Sequence, residues 1–143
     1  MPKILLVTGE ASGDIHGAHL ALALHELNPA VELIGVGGSR MSAAGVSLLS
    51  QVDRVDAMGV PGIRQLMKGW KTLRTLSRYV QHESFDAIIL IDSPGLNLRL
   101  AKVAAKSSHT IIYYIAPQVW AWGSRRLTLI RKVVNHVLAI LPF

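Results

Sequence analysis

The chain has 143 residues, of which 50% are hydrophobic, so it has the size of one globular domain and can bury about two thirds of its unfolded surface. Its apolar runs have the length of strands and fall short of the ~20 residues that span a bilayer, and the lack of cysteine excludes disulfides and thiolate metal sites. A formal charge of +6 indicates an anionic partner, whether nucleic acid, a phosphorylated substrate or an acidic lipid surface.

Short aliphatic runs alternate with helical patterns along the chain. Most of the runs are continuous, which is typical of strands covered on both faces in a parallel sheet. The predicted strands are Ile4–Thr8, Val31–Val36, Ala87–Ile91, Thr110–Ile115 and His136–Ile140. The predicted helices are Asp14–Leu27, Pro61–Val80, Leu96–Lys106 and Ser124–Val133. This alternation predicts an α/β domain with a Rossmann-like, doubly wound parallel sheet over residues 1–143.

The chain begins directly with the first predicted strand. No small-residue cleavage site follows that strand, so we expect no secretory signal and a cytoplasmic location. The turn after the strand reads Gly-Glu-Ala-Ser-Gly-Asp over residues 9–14. It lacks the spacing of a dinucleotide-binding fingerprint, and Glu10 disfavours a pyrophosphate there while being able to accept sugar hydroxyls. Ser12 and Asp14 are candidates for capping the following helix.

Two histidines, His16 and His19, lie on one face of the first predicted helix. No acidic or cysteine cluster accompanies them at the spacing of metal ligands. The sequence therefore predicts no metal site.

The helix predicted at 61–80 is amphipathic and basic. Its polar face includes Arg64, Lys68, Lys71 and Arg74, with Trp70 nearby, and no acidic residue interrupts the stretch. Such a helix indicates contact with an anionic membrane or a phosphate. A solvated polar face on an ordinary core helix is the alternative.

Asp92 ends the third predicted strand, and Asn97 follows at a predicted helix start. Ligands bind at the carboxyl ends of strands in such sheets, and a carboxylate placed there can take a proton from an attacking hydroxyl. Because Asp before Ser-Pro is also common in turns, a turn or capping role for Asp92 remains the alternative.

The segment after the fourth predicted strand carries two of the three tryptophans, Trp120 and Trp122, close to Gln118. Aromatic rings stack on sugars and acyl chains, and a glutamine amide adds directional hydrogen bonds. The pair favours the wall of a site or an interface over core packing.

Several of these motifs, in this order, resemble the lipid-A-disaccharide synthase family. The resemblance covers essentially the whole chain. The segments that carry it are residues 9–14 with Gly17-Ala18, residues 35–41, Ala57-Met58-Gly59, Asp92-Ser93-Pro94 with Asn97, residues 114–122 and Leu141-Pro142-Phe143.

The resemblance implies one half of a GT-B glycosyltransferase, which is built from two Rossmann-like domains. This chain would be the N-terminal acceptor-binding domain, with the nucleotide held mainly by a C-terminal domain absent from it. The implied substrates are a UDP-linked diacylglucosamine donor and a diacylglucosamine 1-phosphate acceptor, joined with inversion at the inner face of the inner membrane. The UDP-sugar is a co-substrate, and no cofactor or metal is implied.

Within this resemblance Asp92 is the first candidate for the base and Glu10 the second. The candidate substrate contacts are Ser12, Asn97, Gln118, Trp120 and Arg125. We expect the chain alone to be inactive. A non-catalytic, membrane-associated module that binds a phosphorylated glycolipid is the alternative, whereas no base-reading motif supports nucleic-acid binding.

Overall fold

The computed structural model describes residues 2–9, 11–49, 63–92, 94–107, 109–114 and 136–138. For residues 63–69, 94–95 and 136–138 it describes the backbone only. Strands and helices alternate along these residues. In chain order they are β1 (Lys3–Val7), α1 (Ala11–Leu27), β2 (Glu32–Val36), α2 (Ser39–Ala43), β3 (Ser47–Leu48), α3 (Ile63–His82), β4 (Ala87–Ile91), α4 (Pro94–Lys106), β5 (Ile111–Tyr114) and β6 (His136–Leu138).

The strands form one sheet in the order β3-β2-β1-β4-β5-β6. All neighbouring strands pair in parallel. The strands β2 and β3 lie on one side of β1, and the strands β4, β5 and β6 follow one another on its other side. The pair β1–β4 is therefore the point at which the strand order reverses, and the predicted doubly wound α/β fold is confirmed.

Alternate residues of the central strands enter two separate cores. Leu5 and Val7 of β1 belong to a core with α3 and α4, whereas Leu6 belongs to a core with α1 and α2. Both faces of the sheet are thus covered by helices, which explains the continuous apolar runs. Full burial of one such aliphatic side chain contributes about 1.5–3 kcal/mol.

Several boundaries differ from those predicted. The first helix begins at Ala11 instead of Asp14, since Asp14 lies inside its first turn. The helix α4 begins at Pro94, because the first helical position tolerates the missing N–H of proline. The short elements α2 and β3 were not predicted, and the predicted helix Ser124–Val133 lies outside the described residues.

Leu76 of α3 is fully buried against the sheet, whereas Leu22 of α1 is 57% exposed. Leu76→Ala should lower the free energy of unfolding by about 2–5 kcal/mol, because it leaves a cavity in the core. Leu22→Ala, the matched control, should change it by less than about 1 kcal/mol. Urea denaturation measures both values, and equal losses would contradict the described orientation of α3.

Candidate active site

The carboxyl ends of β1 and β4 lie side by side at the reversal of the strand order. Val7, the last residue of β1, pairs with Leu90 near the end of β4. The helices that leave these two strands lie on opposite faces of the sheet, which opens a crevice between them. The residues that follow the two strands, Gly9 and Asp92 among them, are therefore placed for binding and chemistry.

The backbone of Asp92 adopts an unusual conformation. Its φ is 48°, and no other non-glycine residue in the described part of the chain has a positive φ. Left-handed backbone costs most residues about 1–2 kcal/mol, although aspartate tolerates it better. Residues held in such conformations cluster at functional sites, and Asp92 lies where the sequence predicted the base.

Hydrogen bonds fix the peptide groups on both sides of Asp92. Its N–H donates to the carbonyl of Tyr114 at 3.2 Å. Its own carbonyl accepts from the hydroxyl of Tyr113 at 2.7 Å and from Nδ2 of Asn97 at 2.8 Å. The Asp92 side chain itself is half-buried.

Asn97 is fully buried and bridges the two central strands. Besides the Asp92 carbonyl, its Nδ2 lies 3.2 Å from the carbonyl oxygen of Val7 and 3.1 Å from that of Ile91. In the opposite orientation of the amide, Oδ1 would face three carbonyl oxygens and be repelled by them. The orientation with Nδ2 facing the carbonyls is therefore the favourable one. In this structure Asn97 has no exposed surface, and its Oδ1 has no hydrogen-bond partner among the described residues. Its predicted substrate contact stays a prediction.

Asp14 caps α2 instead of its own helix. Its Oδ1 accepts from the N–H groups of Gly38 at 2.8 Å and Met41 at 3.0 Å, and Oδ2 accepts from that of Arg40 at 3.2 Å. The carboxylate is only 4% exposed, and it satisfies amides that a helix N-terminus leaves without intrahelical partners. The loop after β2 is thus held against the first turn of α1.

Two glycines let α1 pack closely against Thr8, which follows β1, and against Met41 of α2. A Cβ at Gly13 would fall 1.8 Å from Oγ1 of Thr8, and one at Gly17 would fall 2.6 Å from Sδ of the buried Met41. In contrast, Ser12 is exposed in the first turn of α1. The motif at residues 9–14 therefore combines packing and capping positions with a serine that remains accessible to a ligand.

One candidate base and three predicted substrate contacts lie outside the described residues. These are Glu10, Gln118, Trp120 and Arg125. Their roles stay predictions. Within the part of the chain that the structure describes, no group of three histidine, cysteine or acidic side chains could hold a metal ion.

The outer face of α3 is basic. Lys71, Arg74 and Arg78 are exposed on it, while Thr72 and Leu76 face the core. An open groove of about 640 Å³ runs along this face. The side chain of Trp70 is 65% exposed.

The predicted contacts Arg64 and Lys68 lie in α3, but their side chains are outside the described ones. Among the helices described, none combines the length and apolar character needed to cross a bilayer.

Comparison with known proteins identifies relatives over the whole chain. Residues 4–143 match the lipid-A-disaccharide synthetase family. A lipid-A-disaccharide synthase of Coxiella burnetii is 40% identical over 142 residues, which cover 99% of this chain and 38% of the relative. One from Trichlorobacter lovleyi is 42% identical over 145 residues, which cover 99% of this chain and 37% of the relative. The chain thus spans less than two fifths of the length of these curated relatives.

A solved structure supports the fold alone. The C-terminal domain of a hydrogenase from Pyrococcus furiosus has a TM-score of 0.57 and 11% sequence identity, with coverage of 78% of this chain and 90% of that domain. At this identity, similarity of function does not follow from similarity of fold.

Removing the Asp14 carboxylate should destabilise the domain. Asp14→Ala leaves three N–H groups without their acceptor and should lower the free energy of unfolding by about 1–3 kcal/mol. Asp14→Asn, which retains one oxygen, should have an intermediate effect, and Ser12→Ala in the same turn should have little. Urea denaturation of the three variants measures their free energies of unfolding. If Asp14→Ala lowers this free energy no more than Ser12→Ala does, Asp14 does not cap α2.

Proposed function

This chain belongs to the lipid-A-disaccharide synthetase family, and on that basis we propose that it forms the acceptor-binding part of an inverting glycosyltransferase. The proposed reaction joins UDP-2,3-diacylglucosamine to 2,3-diacylglucosamine 1-phosphate and releases UDP. The observation that carries the proposal is the position of Asp92, which follows β4 at the reversal of the strand order. A carboxylate there can meet a sugar hydroxyl bound in the crevice.

In the proposed reaction the 6-hydroxyl oxygen of the acceptor attacks the anomeric carbon of the donor. A new C–O bond forms on the face opposite UDP, the bond from the anomeric carbon to the UDP oxygen breaks, and UDP leaves with the bonding electrons. The Asp92 carboxylate takes the hydroxyl proton, which makes the attacking oxygen more nucleophilic. Glu10 is the second candidate for this base.

Ser12 is a further candidate contact for the acceptor. It is exposed in the first turn of α1, where helix amides favour anionic and hydroxyl ligands. Gln118, Trp120 and Arg125 complete the proposed set of substrate contacts. The proposed site requires no metal and no cofactor.

The donor requires a partner domain in this proposal. The curated relatives are more than twice as long as the matched segment, and GT-B enzymes hold the nucleotide mainly in a second Rossmann-like domain. We propose that residues 1–143 act with such a C-terminal domain and that the chain without it forms no disaccharide.

The basic face of α3 is the proposed contact with the inner face of the inner membrane. The contact residues are Arg64, Lys68, Trp70, Lys71 and Arg74. Each basic residue near an anionic surface contributes about 1 kcal/mol of binding, and an exposed tryptophan is favoured at the headgroup level. Such a contact would keep the site close to acylated substrates that reside in the bilayer.

The role of Asp92 can be tested in a chimera in which this chain replaces the matching segment of the Coxiella burnetii relative. Asp92→Asn keeps the size of the side chain but removes the base, so we expect kcat to fall by about 10² or more with little change in acceptor binding. Disaccharide formation from radiolabelled donor measures turnover. Near-normal kcat would exclude Asp92 as the base, and the same substitution at Glu10 would then test the second candidate.

The membrane contact can be tested by charge reversal. Lys71→Glu with Arg74→Glu should reduce binding to phosphatidylglycerol vesicles by at least about tenfold, with the remaining binding sensitive to salt. Lys102→Glu with Lys106→Glu changes the net charge equally, on exposed positions of α4, and is the matched control. Vesicle co-sedimentation measures both, and equal losses would show that net charge alone attracts the chain to the membrane.

A further inference from the structure

Two buried side chains from different elements hold the carbonyl of Asp92. Tyr113 comes from β5 and Asn97 from α4, and both are fully buried. Their donors lie 2.7 and 2.8 Å from the same oxygen. Together with the N–H of Asp92, which donates to Tyr114, these bonds restrain the peptide planes on both sides of the residue.

The direction of a side chain is set by the backbone at its own Cα. With φ at 48°, the Asp92 carboxylate leaves the chain in a different direction from that of a residue that continues the strand. Left-handed backbone is disfavoured for residues other than glycine, so it persists where neighbouring groups hold it. Here the neighbours are the hydroxyl of Tyr113 and the amide of Asn97.

The hydroxyl of Tyr113 is not needed for packing. The ring lies in the core between the sheet and the helices α3 and α4, where the ring of a phenylalanine would fill nearly the same space. A buried tyrosine hydroxyl usually has a hydrogen-bond partner. One partner here is the carbonyl of Asp92, the candidate base.

We propose that Tyr113 and Asn97 are positioning residues that hold the Asp92 carboxylate in its productive direction. The inference rests on the proposed function, in which Asp92 takes the proton of the acceptor hydroxyl. Asn97 also contacts the carbonyl of Val7 at the end of β1, so the same amide fixes Asp92 relative to the neighbouring strand. A misdirected base lowers the rate of proton transfer without removing any contact to the acceptor.

The first test is Tyr113→Phe in the chimera with the Coxiella burnetii relative. We expect kcat to fall about tenfold, as for the loss of one positioning hydrogen bond, with KM within about twofold. Tyr79→Phe is the matched control, because Tyr79 packs against the same core but contacts Phe85 before the start of β4. A fall in kcat equal to that of Tyr79→Phe would overturn the proposal.

The second test combines Tyr113→Phe with Asp92→Asn. If the hydroxyl acts through the carboxylate, the loss of the hydroxyl should have little further effect on kcat once the carboxylate is gone. A merely structural hydroxyl would lower kcat by the same factor in both backgrounds. That additive result would overturn the positioning role.

A third measurement separates failure of this inference from failure of the proposed function. Nuclear magnetic resonance of the chain reports the Cα shift and amide exchange of Asp92 without any turnover. Tyr113→Phe should change both signals, and Tyr79→Phe should leave them unchanged. If Asp92→Asn does not affect turnover, the proposed base is wrong; if Tyr113→Phe leaves the Asp92 signals unchanged, the positioning inference is wrong.

Discussion

Asn97 holds the carboxyl ends of the two central strands together, because its buried Nδ2 lies within hydrogen-bond distance of carbonyls from both. Those carbonyls belong to the last residue of each strand, Val7 and Ile91, and to Asp92, which follows β4. Unpaired polar groups in such a dry environment are costly. The amide of Asn97 thus satisfies carbonyls at the carboxyl ends of both strands. The candidate site lies at these strand ends.

The glycine-containing motif after β1 divides into residues with different physical roles. Gly13 and Gly17 allow close approach of α1 to Thr8 and Met41, and Asp14 caps α2. Among the described positions of this motif, Ser12 is the exposed residue with a polar side chain. Most described residues of the motif therefore pack or cap the helices beside the crevice, and few of them are available to contact a ligand.

Local sequence patterns predicted every described strand except β3 and every described helix except α2, because continuous apolar runs and helical periodicity are properties of neighbouring residues. They did not predict α2, since the carboxylate that caps it comes from Asp14, more than twenty positions earlier in the chain. Asn97 was a candidate substrate contact through the family resemblance, and its position at a helix start did not indicate that it is buried. Its burial against Val7 depends on a contact across 90 positions. The hydrogen bond from Tyr113 to Asp92 was missed for the same reason, although a tyrosine in an apolar strand is a signal that its hydroxyl has a partner.

The most direct test of the account is a nuclear magnetic resonance titration of the chain with a short-chain, water-soluble diacylglucosamine 1-phosphate. The account predicts amide shift changes concentrated at Gly9, Ser12 and Asp92, around the carboxyl ends of β1 and β4. Residues at the amino ends of the strands, such as Lys3 and Asp86, should remain unchanged. Shifts confined to the basic face of α3, or centred on the amino ends of the strands, would contradict the placement of the acceptor site.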